Sequence, residues 1–175
     1  MGRRADATGP AAGSRGDGLS QEADLASARL RELLERSSVP YQTLSHPTSI
    51  DAQRTAERLH VRGDEFAKTV GVRVDGRLCL VVLPASDHVD LERLRQGLGA
   101  REVELADPDE LREAFPDCEV GAMPPFGSLY GVEVFVSPRL REDERITFKA
   151  GSHEEAICMR YGDYERLAAP TVVRC

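Results

Sequence analysis

The chain is constrained most by the dipeptide Asp75-Gly76, which stands between two apolar runs, Ala67-Lys68-Thr69-Val70-Gly71-Val72-Arg73-Val74 and Leu78-Cys79-Leu80-Val81-Val82-Leu83. An Asp-Gly pair supplies the backbone angles that a tight hairpin demands, and its flanks are rich in β-branched residues. The spacing therefore predicts two antiparallel strands. The second run is apolar on both faces, which places it in the middle of a sheet. The first opens with Lys68 and Thr69, which puts a lysine at the sheet's rim.

Around this hairpin the patterning predicts a single α+β domain, a mixed and mostly antiparallel sheet flanked by helices, over residues 20–175. Residues 1–19, rich in Gly, Ala, Ser and Asp, read as a disordered tail. Ser20 is positioned to cap a first helix with Leu25, Ala28, Leu30, Leu33 and Leu34 on one face, ending before Pro40. A short strand over 41–45 runs into His46-Pro47, and Thr48 or Ser49 is placed to cap a helix over 51–59. Further helices are expected over 90–98, from the Asp107-Pro108 start to Phe115, and over 163–168. Strands are expected over 103–105, 131–137, 145–149, 156–161 and 171–173. No internal repeat is evident.

Charge and cysteine usage narrow the function classes. A net charge of −7 excludes binding to DNA or RNA by bulk electrostatics, so any nucleic-acid partner must be held locally. No apolar stretch approaches the roughly 20 residues of a membrane span, and Arg3-Arg4 is not followed by an apolar run. Cys79, Cys118, Cys158 and Cys175 form no C-x-x-C pair and read as reduced residues of a cytoplasmic protein. His60 and His88 lack partners at metal-ligand spacing and read as surface residues. Of the 23 basic residues only Lys68 and Lys149 are lysines. Codon bias would explain that, and so would a need for a compact, titratable ammonium at those two places.

The segment Gly121-Ala122-Met123-Pro124-Pro125-Phe126-Gly127 is the candidate centre of the chemistry. Its two prolines fix φ and its flanking glycines allow angles closed to other residues, so the loop is stiff. It serves either as a tight structural turn or as the floor of a pocket. Serine-hydrolase, zinc-protease, phosphate-loop and dinucleotide fingerprints are all missing, so no metal or cofactor is expected. Cys118 lies between Asp117 and Glu119, which raise a thiol's pKa and argue against a nucleophile. What remains is one ammonium, Lys68, able to bind an anionic group, and Gly121-loop amides able to face a carbonyl oxygen. No protein base accompanies them, so the substrate would supply its own.

Three stretches, in this order, carry a resemblance: Ala67-Lys68-Thr69-Val70, the G-x-x-x-P loop Gly121 to Pro125, and Phe148-Lys149-Ala150-Gly151-Ser152. Together they resemble the YbaK/ProX aminoacyl-tRNA deacylases, also called the prolyl-tRNA synthetase-associated editing domain, over roughly residues 22–173. The resemblance implies hydrolysis of the ester that joins a wrong amino acid to the terminal ribose of tRNA. It implies that Lys68 holds the acceptor end, that the Gly121 to Pro125 loop orients the carbonyl, and that a ribose hydroxyl assists. The implied partners are the acceptor end of a mischarged tRNA and an aminoacyl-tRNA synthetase. Catalytic roles are accordingly expected for Lys68, Gly121 and Pro125, and substrate contacts for His46, Thr69, Met123, Pro124, Phe126, Gly151, Ser152 and His153. For His46 a turn residue bonded to backbone is the plain alternative, and for His153 a surface loop. The segment Gly151-Ser152-His153-Glu154-Glu155 departs from the His-Pro and Asn pattern of the alanine-specific branch, which points away from alanine. A non-catalytic module that binds an aminoacyl group, a tRNA end or a small metabolite would use the same residues.

Overall fold

The apolar runs assemble into one mixed sheet in the computed structural model, which describes residues 16–175. Its strands are β1 (Tyr41–Ser45), β2 (Phe66–Val74), β3 (Arg77–Pro84), β4 (Val103–Leu105), β5 (Glu133–Val136), β6 (Arg145–Lys149), β7 (Glu155–Arg160) and β8 (Thr171–Val172). They lie in the order β1-β7-β6-β2-β3-β5-β8, with β4 paired to the far end of β2. The β2–β3 hairpin closes at Asp75 and Gly76, both at positive φ. Antiparallel pairs are β1–β7, β6–β7, β2–β3 and β2–β4, and the pairs β2–β6, β3–β5 and β5–β8 are parallel. The fold is thus the mixed α+β sheet the patterning predicts.

Helices α1 (Gly16–Arg36), α2 (Ala52–Arg58), α3 (Leu91–Leu98), α4 (Pro108–Ala114) and α5 (Tyr161–Ala168) cover both faces. Alternation along β3 divides the core. Leu80 and Val82 pack with Leu30 and Leu34 of α1, Leu111 of α4 and Tyr164 of α5, whereas Cys79, Val81 and Leu83 pack with Leu94 of α3. Burying side chains of this kind contributes roughly 1.5–3 kcal/mol each, which makes the β2–β3 pair the stable centre of the molecule.

Several local expectations change. The first helix begins at Gly16, so Ser20 lies inside it rather than at its cap; the remainder of the expected tail, 1–15, falls outside the described residues. The buried face of α1 is Ala26, Ser27, Leu30 and Leu34, spaced at one helical turn, while Leu25 and Ala28 are exposed. Helix α2 is capped by Asp51, whose side chain accepts the Arg54 N–H, and neither Thr48 nor Ser49 does so. The Asp90 and Asp107 caps form as the sequence indicates. Chain reversal comes earlier than expected after β7, because Tyr161 already opens α5.

Candidate active site

The parallel pairing of β2 with β6 sets Phe66 against Thr147 and Ala67 against Phe148, so one further step along that register brings Lys68 beside Lys149. Both lysines line one narrow cleft with Ala52, Phe66, Ala67, Thr69, Gly121 and Met123, of which about 10 Å³ is open to a water-sized sphere. A larger polar groove bordered by Asp87, Arg93, Arg139 and Arg174 lies elsewhere and is open and solvated.

The Gly121 loop is laid onto the β6–β7 turn by two backbone hydrogen bonds. Glu119 N–H donates to Gly151 O at 2.8 Å, and Gly151 N–H donates to Ala122 O at 2.9 Å. Gly121 itself sits at φ +85°, a left-handed angle that glycine adopts without strain. Its N–H faces Met123 Sδ at 3.3 Å, a weak acceptor that a carbonyl oxygen could replace. The next amide, of Ala122, already donates to Glu119 O. From the other side, Arg29 of α1 braces the approach to the loop, donating to Asp117 Oδ2 at 2.9 Å and to Leu129 O at 2.6 Å. Gly127 is required for a different reason than its partner at the other end of the loop: a Cβ there would stand 2.2 Å from Val132 O.

Lys68 is half-buried, with one hydrogen bond from Nζ to Ala85 O at 3.4 Å and no ion pair among the described residues. Burial lowers its pKa from the usual lysine range, opposed by the negative charges of Asp51 and Asp87. Lys149 is 5% exposed and donates to Ser49 O at 2.6 Å, Ile50 O at 2.7 Å and His153 Nδ1 at 2.9 Å. Burial pushes its pKa down to about 8, against the pull of Asp51 and Glu119.

Among the residues the sequence nominates, Lys68, Thr69, Gly121 and Met123 come together at the cleft. The others do not line it. Phe126 is fully buried in the core, its ring 5.7 Å from that of Phe148 and 5.5 Å from that of Tyr164, because the prolines turn it inward among aromatics. Pro124 and Pro125 are buried outside the lining, where they stiffen the loop. Gly151, at φ +106°, makes the backbone bond to Ala122 described above, and the Ser152 hydroxyl accepts the Glu154 N–H at 3.3 Å. His46 is buried at the end of β1 and its Nδ1 meets its neighbour's carbonyl, Pro47 O, at 3.0 Å, the turn role. His153 is not in a surface loop: it is 8% exposed and its Nε2 meets Val120 O at 3.0 Å.

Lys149, Ala52, Phe66 and Ala67 line the cleft without having been nominated as site residues from the sequence. The rarity of lysine was the signal available for Lys149. Cys118 does not line the cleft, burial pushes its thiol up to about 12, and its Sγ lies 3.2 Å from the Tyr130 hydroxyl, all of which argue against a nucleophile. Among the described residues no three His, Cys, Asp or Glu side chains gather as a metal-ligand set, and no helix is long and apolar enough to cross a membrane.

The chain is similar to several known proteins. Over 150 residues it is 27% identical to the multifunctional Ser/Thr-tRNA deacylase ProXp-y of Escherichia coli (strain K12), covering 83% of this chain and 89% of that protein. It is 28% identical over 123 residues to the proline–tRNA ligase of Leuconostoc citreum (strain KM20), covering 68% of this chain but 20% of that enzyme. The fold matches the crystal structure of a candidate trans-editing enzyme for prolyl tRNA synthetase with a TM-score of 0.73 at 16% identity, over 85% of this chain and 95% of that one. Residues 46–167, well over half of the chain and including the whole cleft, match the sequence model of the aminoacyl-tRNA editing domain, and the chain belongs to that family.

Proposed function

We propose that this protein is an aminoacyl-tRNA deacylase that hydrolyses the ester of a mischarged tRNA. The observation that carries the reading is that Lys68, weakly bonded within the protein, and the Gly121 N–H, facing only a thioether, line one small cleft. An ammonium so placed binds a phosphate of the acceptor end. An amide so placed can donate to the ester oxygen as it becomes an oxyanion. Met123 is held beside both, and Pro124 and Pro125 fix the loop that carries it.

Water attacks the ester carbonyl carbon, the tetrahedral oxyanion collapses, and the bond to the ribose oxygen breaks as that oxygen takes a proton. Among the described residues, no side chain lining the cleft is a carboxylate or an imidazole. The neighbouring ribose hydroxyl of the substrate is then the group that orients and activates the water. The cleft's small size suits a small side chain, and the similar Ser/Thr-tRNA deacylase makes serine and threonine the first esters to test. The negative net charge fits a protein that holds only the acceptor tip, with an aminoacyl-tRNA synthetase as the partner that delivers it.

The test is incubation of the protein with seryl-, threonyl-, alanyl- and cysteinyl-tRNA. Accelerated loss of at least one ester is expected. Saturable binding without hydrolysis of any would overturn the enzymatic reading.

A further inference from the structure

The second ammonium in the cleft is bonded in a way that gives it a separate task. A lysine ammonium has three N–H donors and no acceptor, and at Lys149 all three are directed at protein: Ser49 O, Ile50 O and His153 Nδ1. His153 Nδ1 must therefore be the accepting nitrogen, so the ring is neutral and carries its proton on Nε2, which donates to Val120 O. Burial and the Lys149 charge lower the His153 pKa and favour this neutral form. The result is a continuous chain of bonds from the Ser49-Ile50 segment, through Lys149 and His153, to the carbonyl immediately before Gly121.

The two ends of this chain are the two walls of the cleft. Ser49 and Ile50 lead into Ala52, which lines one side, and Val120 leads into Gly121 and Met123 on the other. The ring's Cε1 lies 3.7 Å from where a Gly121 Cβ would stand, so the imidazole also backs the glycine directly. Shape and charge are both needed here. An apolar side chain would leave Ile50 O and His153 Nδ1 without this donor and Ser49 O with only the 3.4 Å bond from the Thr55 hydroxyl, and a guanidinium is a planar fork that does not fit three points arranged around one nitrogen.

We propose that Lys149 is a positioning residue that, with His153 as relay, sets the separation of the cleft walls and the direction of the Gly121 N–H. This rests on reading the cleft as the site of ester hydrolysis. Lys149 offers no proton to the substrate, since all three are committed within the protein. Its removal acts on the geometry of the oxyanion donor rather than on substrate capture.

The experiment uses the full chain and three variants, Lys149→Met, His153→Leu and His153→Gln. Nitrogen NMR of the wild-type His153 ring should show the proton on Nε2 and an Nδ1 that accepts a hydrogen bond, and Lys149→Met should lose the bond to Nδ1. In steady-state hydrolysis of the ester that the wild type cleaves best, Lys149→Met and His153→Leu should lower kcat by about 10–100-fold with KM within about twofold. His153→Gln keeps one acceptor and one N–H donor and should stay within about threefold of wild type in kcat. A proton on Nδ1 in the wild type overturns the proposal without any variant, and so does a folded His153→Leu protein with wild-type kcat. A wild type that hydrolyses no ester removes the deacylase reading and the catalytic role with it, an outcome distinct from either of those.

Discussion

Lys68 and Lys149 stand on neighbouring strands and line the same cleft, yet their bonding is opposite. Lys68 lies where β2 leaves the β6 ladder, half-buried, and makes a single bond of 3.4 Å to a carbonyl. Lys149 lies where β6 turns back towards β7, and the turn supplies its own acceptor four residues on, with two carbonyls arriving from the Ser49-Ile50 segment. A chain with 21 arginines keeps an ammonium at both places, for two different reasons. At Lys68 a compact charge on a flexible stem is left available to a ligand. At Lys149 the same group is saturated and immobile, and holds backbone.

The comparison breaks most visibly on Lys68→Ala. Ester hydrolysis should fall by about 100-fold or more, as when an electrostatic donor is removed from a transition state. The urea midpoint should hardly move, because one long hydrogen bond is lost, and a large drop in that midpoint would show Lys68 to be structural. Lys149→Met should do the reverse in stability: leaving buried acceptors unsatisfied costs about 2–3 kcal/mol, read as a lower urea midpoint at unchanged slope. Equal stability of the two variants would erase the distinction.

Smaller effects sharpen the picture of the loop between the two lysines. Gly121→Ala should cost about 1 kcal/mol in stability, since φ is +85° but no atom lies closer than 3.7 Å to the added Cβ. The same change should slow hydrolysis if the amide tilts, and an unaltered rate would remove that N–H from the chemistry. The smallest effect concerns pH. His153 is held below its ordinary pKa of 6.5 by burial and by the Lys149 charge. Below that pH the unfolded chain binds a proton that the folded chain does not, so this contribution to stability is full above it and is lost as pH falls. The urea midpoint of the wild type should therefore drop relative to His153→Gln between about pH 7 and about pH 5, and a constant difference would contradict a buried neutral imidazole.

Much of the sheet was legible because its signals are local. Asp75-Gly76, the Asp90 and Asp107 caps and the double-sided apolar run of β3 each state a backbone conformation within a few residues. The register of the parallel β2–β6 pair has no such local signal, since it brings together residues about 80 apart in the chain. For the same reason Lys149 was visible as a rare residue but not as a neighbour of Lys68. Phe126 misled because an aromatic beside two prolines reads equally well as a pocket wall or as core, and the two rings packed against it, Phe148 and Tyr164, decide for core. His153 misled because Gly-Ser-His-Glu-Glu is polar in composition, while its burial follows from the β6–β7 turn folding under the Gly121 loop.

The most direct measurement is the rate of ester loss from seryl- and threonyl-tRNA, with alanyl- and cysteinyl-tRNA beside them, in the presence of wild-type protein and of Lys68→Ala. The predicted result is decay of at least one of these esters well above its spontaneous rate, abolished in the variant while the variant stays folded. Spontaneous decay of all four with wild-type protein, or equal acceleration by the wild type and by Lys68→Ala, would contradict it.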